Sequence, residues 1–312
     1  MKVAFQMEPL TESEKGFTNS LFFIEEAQKR SYDVWQYAPE ELSLSNNDVH
    51  ATARRVWVDQ SKKDYYRLGE DETLMLGEMD VIFMRNHPPF DMKYLSATYM
   101  LERLREKVLF VNDPYWVRNC PEKLFPFEFP EFMPPTLITR DKKEIAKFLE
   151  KHGDVILKPP YDYYGHGVMR LQPGDENIEA IIGYMLKQTI YPLVFQKYLK
   201  EIKNGRIRVF FIDGEPVTAR KIEYIDGTKD NSENWIQTRH SLSNHEKEMA
   251  QKLGIVFIER GLFHVGIDII GKYLIEINTT CPGGMQVHNA LDGVNYHARL
   301  WDAIEKRRNK SR

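Results

Sequence analysis

The sequence predicts a mixed fold: an α/β unit built on a parallel, helix-covered sheet, followed by two α+β units. Strand and helix signals alternate through the first third, and the strands are apolar along nearly their whole length, as in sheets covered on both faces. A Pro- and Phe-rich stretch, residues 122–136, cannot form one regular element and reads as a crossing between domains. Beyond it, helices alternate with short strands and hairpins. A chain of 312 residues is too long for one ordinary core, and the boundaries are expected at 1–117, 118–192 and 193–312.

In the first unit, residues 2–6 read as a strand, and a helix runs from about Asn19 to Arg30 with Asn19 or Ser20 as its cap. Residues 33–37, 53–58, 80–85 and 108–112 are further strands, and 92–107 carries helical period. Parallel order puts ligands at the carboxyl ends of strands. Glu8, Arg85 and Asn112 are rim candidates there, each equally readable as a cap or turn residue. In the second unit, 139–153 is a helix opened near Asp141 and closed by Gly153. A strand at 155–160, a Tyr- and Gly-rich turn with a strand at 161–171 and a helix at 176–189 complete a unit of lid size. The third unit opens with a strand at 193–199 and a hairpin over 204–224 turning at Asp213-Gly214. Residues 225–242 are polar without period and read as a mobile loop. Ser243 and Glu246 form a capping box for a helix reaching 261, and a last helix covers 295–308.

Residues 263–280, FHVGIDIIGKYLIEINTT, are two apolar strands around a turn at Gly271-Lys272. They carry three groups foreign to a plain strand pair: Asp268, Glu276 and Asn278. Side chains alternate along a strand, so Glu276 and Asn278 share a face. A loop of residues 271–273 centres the hairpin on 272 and sets Asp268 opposite Glu276. Two carboxylates and an amide oxygen then converge, and the like charges repel unless a cation lies between them. Oxygen-only donors suit Mg²⁺, with Mn²⁺ as an alternative, completed by water and nucleotide phosphates. The rival reading is a surface hairpin with solvated acids; the apolar runs on either side count against it.

Lys158 interrupts an apolar strand, where an unpaired ammonium is costly. A phosphate oxygen is a natural partner. Lys123 suggests the same role from a helix or turn. Either lysine alone reads as a snorkelling side chain. With Gly165 and Gly167 in the turn after Lys158, whose backbone N–H groups could approach phosphates, the two become a triphosphate grip. Arg206 and Arg208 share a face of the hairpin strand. Arg208 suits a carboxylate or acyl phosphate where charge develops, and Arg206 reads as solvent-facing.

Composition narrows the classes. The hydrophobic fraction is 42%, the formal net charge −3 and the pI about 6.3, which gives no reason to invoke nucleic acid or an anionic membrane. No apolar run is long enough to span a bilayer, and MKVAFQMEPL lacks a signal-peptide pattern. Cys120 and Cys281 show neither metal spacing nor a disulfide framework, so two free thiols in the reducing cytoplasm are expected.

On these residues the chain resembles bacterial glutathione synthetases, members of the ATP-grasp superfamily. The matching segments are 84–103, 119–125, 154–160, 208–217 and 265–282, in one order over nearly the whole length. The resemblance implies an ATP-grasp fold: a Rossmann-like N-terminal domain, a small lid domain and a C-terminal α+β domain. It implies ligation of a carboxylate to an amine through an acyl phosphate, with γ-glutamylcysteine, glycine and ATP giving glutathione, ADP and phosphate. By the same resemblance Lys123 and Lys158 contact ATP phosphates, Lys158 and Arg208 are catalytic, and Arg208 faces the acyl phosphate. Gln196, Lys197, Tyr198 and Leu199 face adenine, with Gly165 and Gly167 near the phosphates. Asp268, Glu276 and Asn278 hold Mg²⁺. Thr18, Asn19, Ser20 and Arg85 bind the γ-glutamylcysteine chain. The partners implied are small-molecule substrates and further copies of the chain, as a tetramer or dimer.

Three segments depart from the family pattern. The loop after Lys158 is YDYYGHG where the family has DGMGG. The family's Arg-Gly-Asn loop with its glycine run is replaced over 227–242, where only Lys229 and Asn231 fall near substrate positions. Residues 281–289 read CPGGMQVHN where the family has Arg-Glu-Ile. All three lie on the substrate side, where Trp235, Tyr163 and Tyr164 could close around a larger or flatter molecule. Two alternatives therefore stand beside glutathione synthesis: a ligase of a different amino acid, peptide or thiol, and a non-catalytic ATP-binding regulator. The intact Asp/Glu/Asn set counts against the regulator.

Overall fold

The computed structural model describes residues 1–11, 15–16, 18–46, 48–163, 165–224 and 235–311. The first unit comprises β1 (Lys2–Gln6), α1 (Asn19–Lys29), β2 (Asp33–Tyr37), β3 (Leu42–Ser45), β4 (Asp48–Val58), β5 (Tyr66–Met75), β6 (Val81–Met84), α2 (Met92–Leu101), β7 (Leu109–Val111) and α3 (Pro114–Asn119). Its sheet runs β3-β4-β2-β1-β6-β7, with β5 also on β4. The pairs β2-β1, β1-β6 and β6-β7 are parallel, as expected. The rest corrects the expectation of an all-parallel sheet: β4 meets β2, β3 and β5 antiparallel. The strand expected at 53–58 begins at Asp48, and β3 and β5 were missed. Their side chains are mostly exposed, so neither shows an apolar run. Thr18, rather than Asn19 or Ser20, caps α1: its hydroxyl accepts from the Ser20 N–H at 3.4 Å.

The second unit comprises β8 (Thr136–Thr139), α4 (Lys142–His152), β9 (Val155–Lys158), β10 (Met169–Leu171), α5 (Ile178–Gln188) and β11 (Leu193–Lys197). It forms an antiparallel sheet, β10-β9-β11-β8, over its own small core of Ile145, Leu157, Leu171 and Phe195. β11 therefore belongs to this sheet, past the boundary expected at 192. The Pro- and Phe-rich crossing before β8 contains two short 3₁₀ turns, Phe125–Glu128 and Pro130–Phe132. Phe125 and Phe132 are buried in a core that also holds Phe211, Phe257 and Ile267.

The third unit comprises β12 (Arg206–Ile212), β13 (Glu215–Tyr224), β14 (Trp235–Arg239), α6 (Asn244–Glu259), β15 (His264–Ile270), β16 (Tyr273–Asn278), α7 (Met285–Asp292) and α8 (Tyr296–Ser311). Its antiparallel sheet runs β14-β13-β12-β15-β16. The β12–β13 hairpin turns where expected: Asp213 and Gly214 both take positive φ, 48° and 79°, as a two-residue hairpin turn requires. The capping box of α6 is present, with Ser243 N–H donating to Glu246 Oε2 at 2.7 Å. Part of the expected loop 225–242 is the strand β14, and α7 and α3 were not foreseen. Asn112 ties the units together. Its amide donates to the carbonyls of His264 (2.8 Å) and Thr279 (2.7 Å), so this rim candidate is structural.

Candidate active site

The third sheet carries charged residues at one level on all five strands. Glu276 pairs with Asp268, Asp268 with Arg208, Arg208 with Arg220, and Arg220 with Arg239. Directly opposed residues project from the same face, and neighbouring strands lie about 4.8 Å apart. Two carboxylates are thus followed by three guanidinium groups in a single row.

The expected opposition of Asp268 and Glu276 is present, but its origin differs. The turn is the two residues Gly271-Lys272, and a bulge between Asp268 and Ile269 supplies the offset. Asp268 is almost fully buried. Arg208 grips it with Nε 2.5 Å from Oδ1 and a terminal nitrogen 2.7 Å from Oδ2. Arg206 adds a bond of 3.3 Å and is not the solvent-facing residue expected. Burial opposes the Asp268 charge, yet Arg208 and Arg206 outweigh it and hold the carboxyl down at about 2.

Arg239 is neutralised by Asp292, 2.5 Å away. Arg220 differs from its neighbours. It is 6% exposed, one terminal nitrogen donates to the Gly284 carbonyl at 3.0 Å, and Nε has no partner in the structure. Burial, then Arg208 and Arg206 beside it, lower its pKa. Arg220 was not singled out in the sequence. Without the bulge at Phe210/Phe211, Arg208 would oppose Ala219 and Arg220 would face the other way.

At the acidic end of the row, Lys123 Nζ lies 3.3 Å from Glu276 Oε1 and also donates to the Asp162 carbonyl. Lys158 is buried, and its Nζ donates to Gln196 Oε1 at 2.7 Å. Burial lowers the Lys158 pKa to about 8, against the opposing pull of Glu276. Glu122 was also missed. Its carboxylate accepts from Thr280 Oγ1 at 2.6 Å, and burial, then Glu276, push its pKa up to about 7.

Among the described residues no group of three or more His, Cys, Asp or Glu could hold a metal. The expected set brings two carboxylates and one amide. Asn278 Nδ2 donates to the Gly266 carbonyl at 3.2 Å, which fixes the amide with its oxygen on the other side. This oxygen-only donor set fits Mg²⁺, most of whose ligands come from water and phosphates.

The other expected residues divide. Asn19 is fully buried and donates to the Pro282 carbonyl at 2.8 Å, and Arg85 bonds Ser20 Oγ at 3.3 Å and Pro282 O at 3.5 Å. These residues brace the 281–289 segment. Thr18 serves α1. Glu8 holds His87 through both the backbone N–H (2.7 Å) and Nδ1 (2.9 Å). In the turn after Lys158, Gly165 and Gly167 take positive φ, and a Cβ on Gly167 would lie 2.7 Å from the Pro159 ring. Gln196 holds Lys158, Lys197 is exposed, the Tyr198 ring lies under Arg170 at 3.8 Å, and Leu199 is buried. Trp235 lies 5.4 Å from Arg206. Lys229, Asn231 and Tyr164 fall outside the described residues.

The N-terminal domain of prokaryotic glutathione synthetase matches residues 1–118, and the ATP-grasp domain of the same family matches 122–293. The chain belongs to the prokaryotic glutathione synthetase family. A glutathione synthetase of Brucella melitensis is 41% identical over 99% of both chains. Those of Agrobacterium fabrum (98% of this chain, 97% of the relative) and Salmonella typhimurium (98% and 99%) are 39% and 35% identical. Among solved structures, D-cycloserine synthetase DcsG has a TM-score of 0.68 at 11% identity, covering 98% of this chain and 99% of that one. D-alanine–D-alanine ligase from Bacillus anthracis, complexed with ATP, has a TM-score of 0.62 at 14% identity, covering 98% and 96%. These likenesses show the ATP-grasp fold. Family and fold together make the chain an ATP-dependent carbon–nitrogen ligase. No helix among the described residues is long and apolar enough to cross a membrane, and both cysteines are free.

Proposed function

We propose that the chain joins γ-glutamylcysteine to glycine with ATP, through an acyl phosphate made and consumed over the charged row. The supporting observation is the placement of Lys123 and Lys158 beside Glu276, with Asp268 and Arg208 next along the sheet. Asp268, Glu276 and Asn278 would hold Mg²⁺, which when bound offsets phosphate charge. Lys123 and Lys158 grip the phosphates, and the Gln196–Leu199 segment faces the adenine. Gly165 and Gly167 bring the lid turn near the phosphates. Thr18, Asn19, Ser20 and Arg85 border the donor, and Lys229 and Asn231 belong to the loop nearest the acceptor.

The donor carboxylate oxygen attacks the γ-phosphorus and ADP leaves. Arg208 faces the transferred phosphoryl group and stabilises the charge gathering there. The acceptor amine nitrogen then attacks the acyl carbon. Phosphate departs with the C–O electron pair, and the surplus amine proton passes to phosphate or water. The acyl phosphate hydrolyses readily, so the lid must exclude water during this interval.

The test is ADP release from MgATP with γ-glutamylcysteine and glycine, together with the same assay on Glu276→Gln. We expect release by the wild type and almost none by the variant, with an unchanged circular dichroism spectrum. Release only with other amines would assign a different acceptor. Full activity of the variant would remove Glu276 from the metal site.

A further inference from the structure

Three arginines lie on the charged row, and two are matched by a carboxylate: Arg208 by Asp268 and Arg239 by Asp292. Arg220, between them, has none among the described residues. It is more than nine-tenths buried, its Nε has no partner, and its one bond goes to a neutral carbonyl. A buried guanidinium left in that state is costly unless an anion completes it. His288 lies beside it. This histidine is 1% exposed and kept neutral by burial and by Arg220, and its Nδ1 donates to the Thr218 hydroxyl at 2.8 Å, whose own proton goes to Asp292, so it brings no countercharge to the arginine. The unsatisfied guanidinium therefore lies under the CPGG segment that departs from the family pattern, where Gly284 accepts its one bond.

We infer that Arg220 forms the subsite for the acceptor's carboxylate, so that the acceptor is read as an α-amino acid rather than as an amine. The inference rests on the ligase reading above. Arg220 lies one strand, about 4.8 Å, from Arg208. In an α-amino acid, one carbon separates the amine nitrogen from the carboxylate, a reach of a few ångströms. A carboxylate seated on Arg220 therefore delivers its amine toward the acyl carbon over Arg208. Gly284 sets the position of Arg220: it takes φ +91°, and a Cβ there would lie 2.5 Å from an Arg220 terminal nitrogen. The subsite has room because a glycine covers it.

The transferred phosphoryl group is the competing anion for the same guanidinium, and the experiment separates the two. ADP release by the wild type is measured with γ-glutamylcysteine and either glycine or glycinamide, which keeps the amine and lacks the carboxylate. The same pair is then run on Arg220→Ala and Arg220→Lys. We expect the wild type to prefer glycine by roughly thirtyfold or more in kcat/KM, the scale of losing the partner of a buried charge. In Arg220→Ala that preference should collapse through KM for glycine, with KM for ATP unchanged, and Arg220→Lys should restore part of it. Equal use of glycine and glycinamide by the wild type would overturn the subsite, and this reading does not depend on any variant folding. A loss in Arg220→Ala that is equal for both acceptors and falls on kcat would assign the arginine to the phosphoryl group instead. No release by the wild type with either acceptor would fail the glycine ligase reading itself.

Discussion

Arg208 meets Asp268 across one strand with two bonds, 2.5 and 2.7 Å long, at a point where Asp268 is 3% exposed. The carboxylate thereby neutralises part of a cluster that also includes Arg206 and Arg220. Replacing Asp268 with Asn should leave buried guanidinium charge without compensation. The expected loss is about 3–5 kcal/mol of stability, read as a lower denaturation midpoint with unchanged slope, together with loss of ADP release.

The two lid glycines should respond differently to alanine. Both have positive φ, 75° at Gly165 and 68° at Gly167, and either substitution strains the backbone by roughly 1 kcal/mol. Gly165 opens to empty space, whereas a Cβ on Gly167 meets Pro159 at 2.7 Å. Gly167→Ala should therefore lower the melting temperature more than Gly165→Ala and speed amide exchange in β9 and β10.

Acid should destabilise the protein through its buried histidines. Burial lowers the pKa of His264, and takes His288 and His297 from 6.5 to about 3. Between those values the unfolded chain binds more protons than the folded one, so stability is full above pH 6.5 and falls as pH drops toward 3. His297→Phe should lower the plateau, because Asn19 and Asn289 lose a partner, but should flatten the slope of melting temperature against pH between 6.5 and 4. An unchanged slope would acquit His297.

Removal of the α6 cap gives a simpler comparison. The Ser243 hydroxyl accepts from the Glu246 N–H at 3.3 Å, and Ser243→Ala should cost about 1 kcal/mol in chemical denaturation with activity preserved.

Much of this molecule was readable before its structure, for identifiable reasons. β1, β2, β6 and β7 showed themselves because both faces of the parallel core are covered, which makes the strands apolar throughout. The β15–β16 pairing followed from two carboxylates that have no business in an apolar hairpin. β3, β5, β14 and α7 stayed hidden because they are half-exposed and lack a clear period. Arg220 and the Asp268 pairing show the limit most clearly. Both depend on bulges, at Phe210/Phe211 and Asp268/Ile269. A bulge leaves no compositional mark, yet it shifts the register by one residue and exchanges the two faces of a strand. The Asp268–Glu276 match survived because a three-residue loop and a two-residue turn with a bulge give the same offset. The β12–β13 hairpin offered no such coincidence.

Those two bulges make the chemistry of the row a question of odd and even. Deleting Val217, the extra residue of the β13 bulge, would leave Arg220 opposite Arg208, whereas deleting Ala219, between the bulge and Arg220, would set the arginine opposite Val209 and turn it to the other face, and deleting Thr218 as well would turn it back. Tolerance to length change between the bulge and Arg220 should therefore alternate. A natural relative that gained or lost an odd number of residues there would need its guanidinium one position away to keep the same reach.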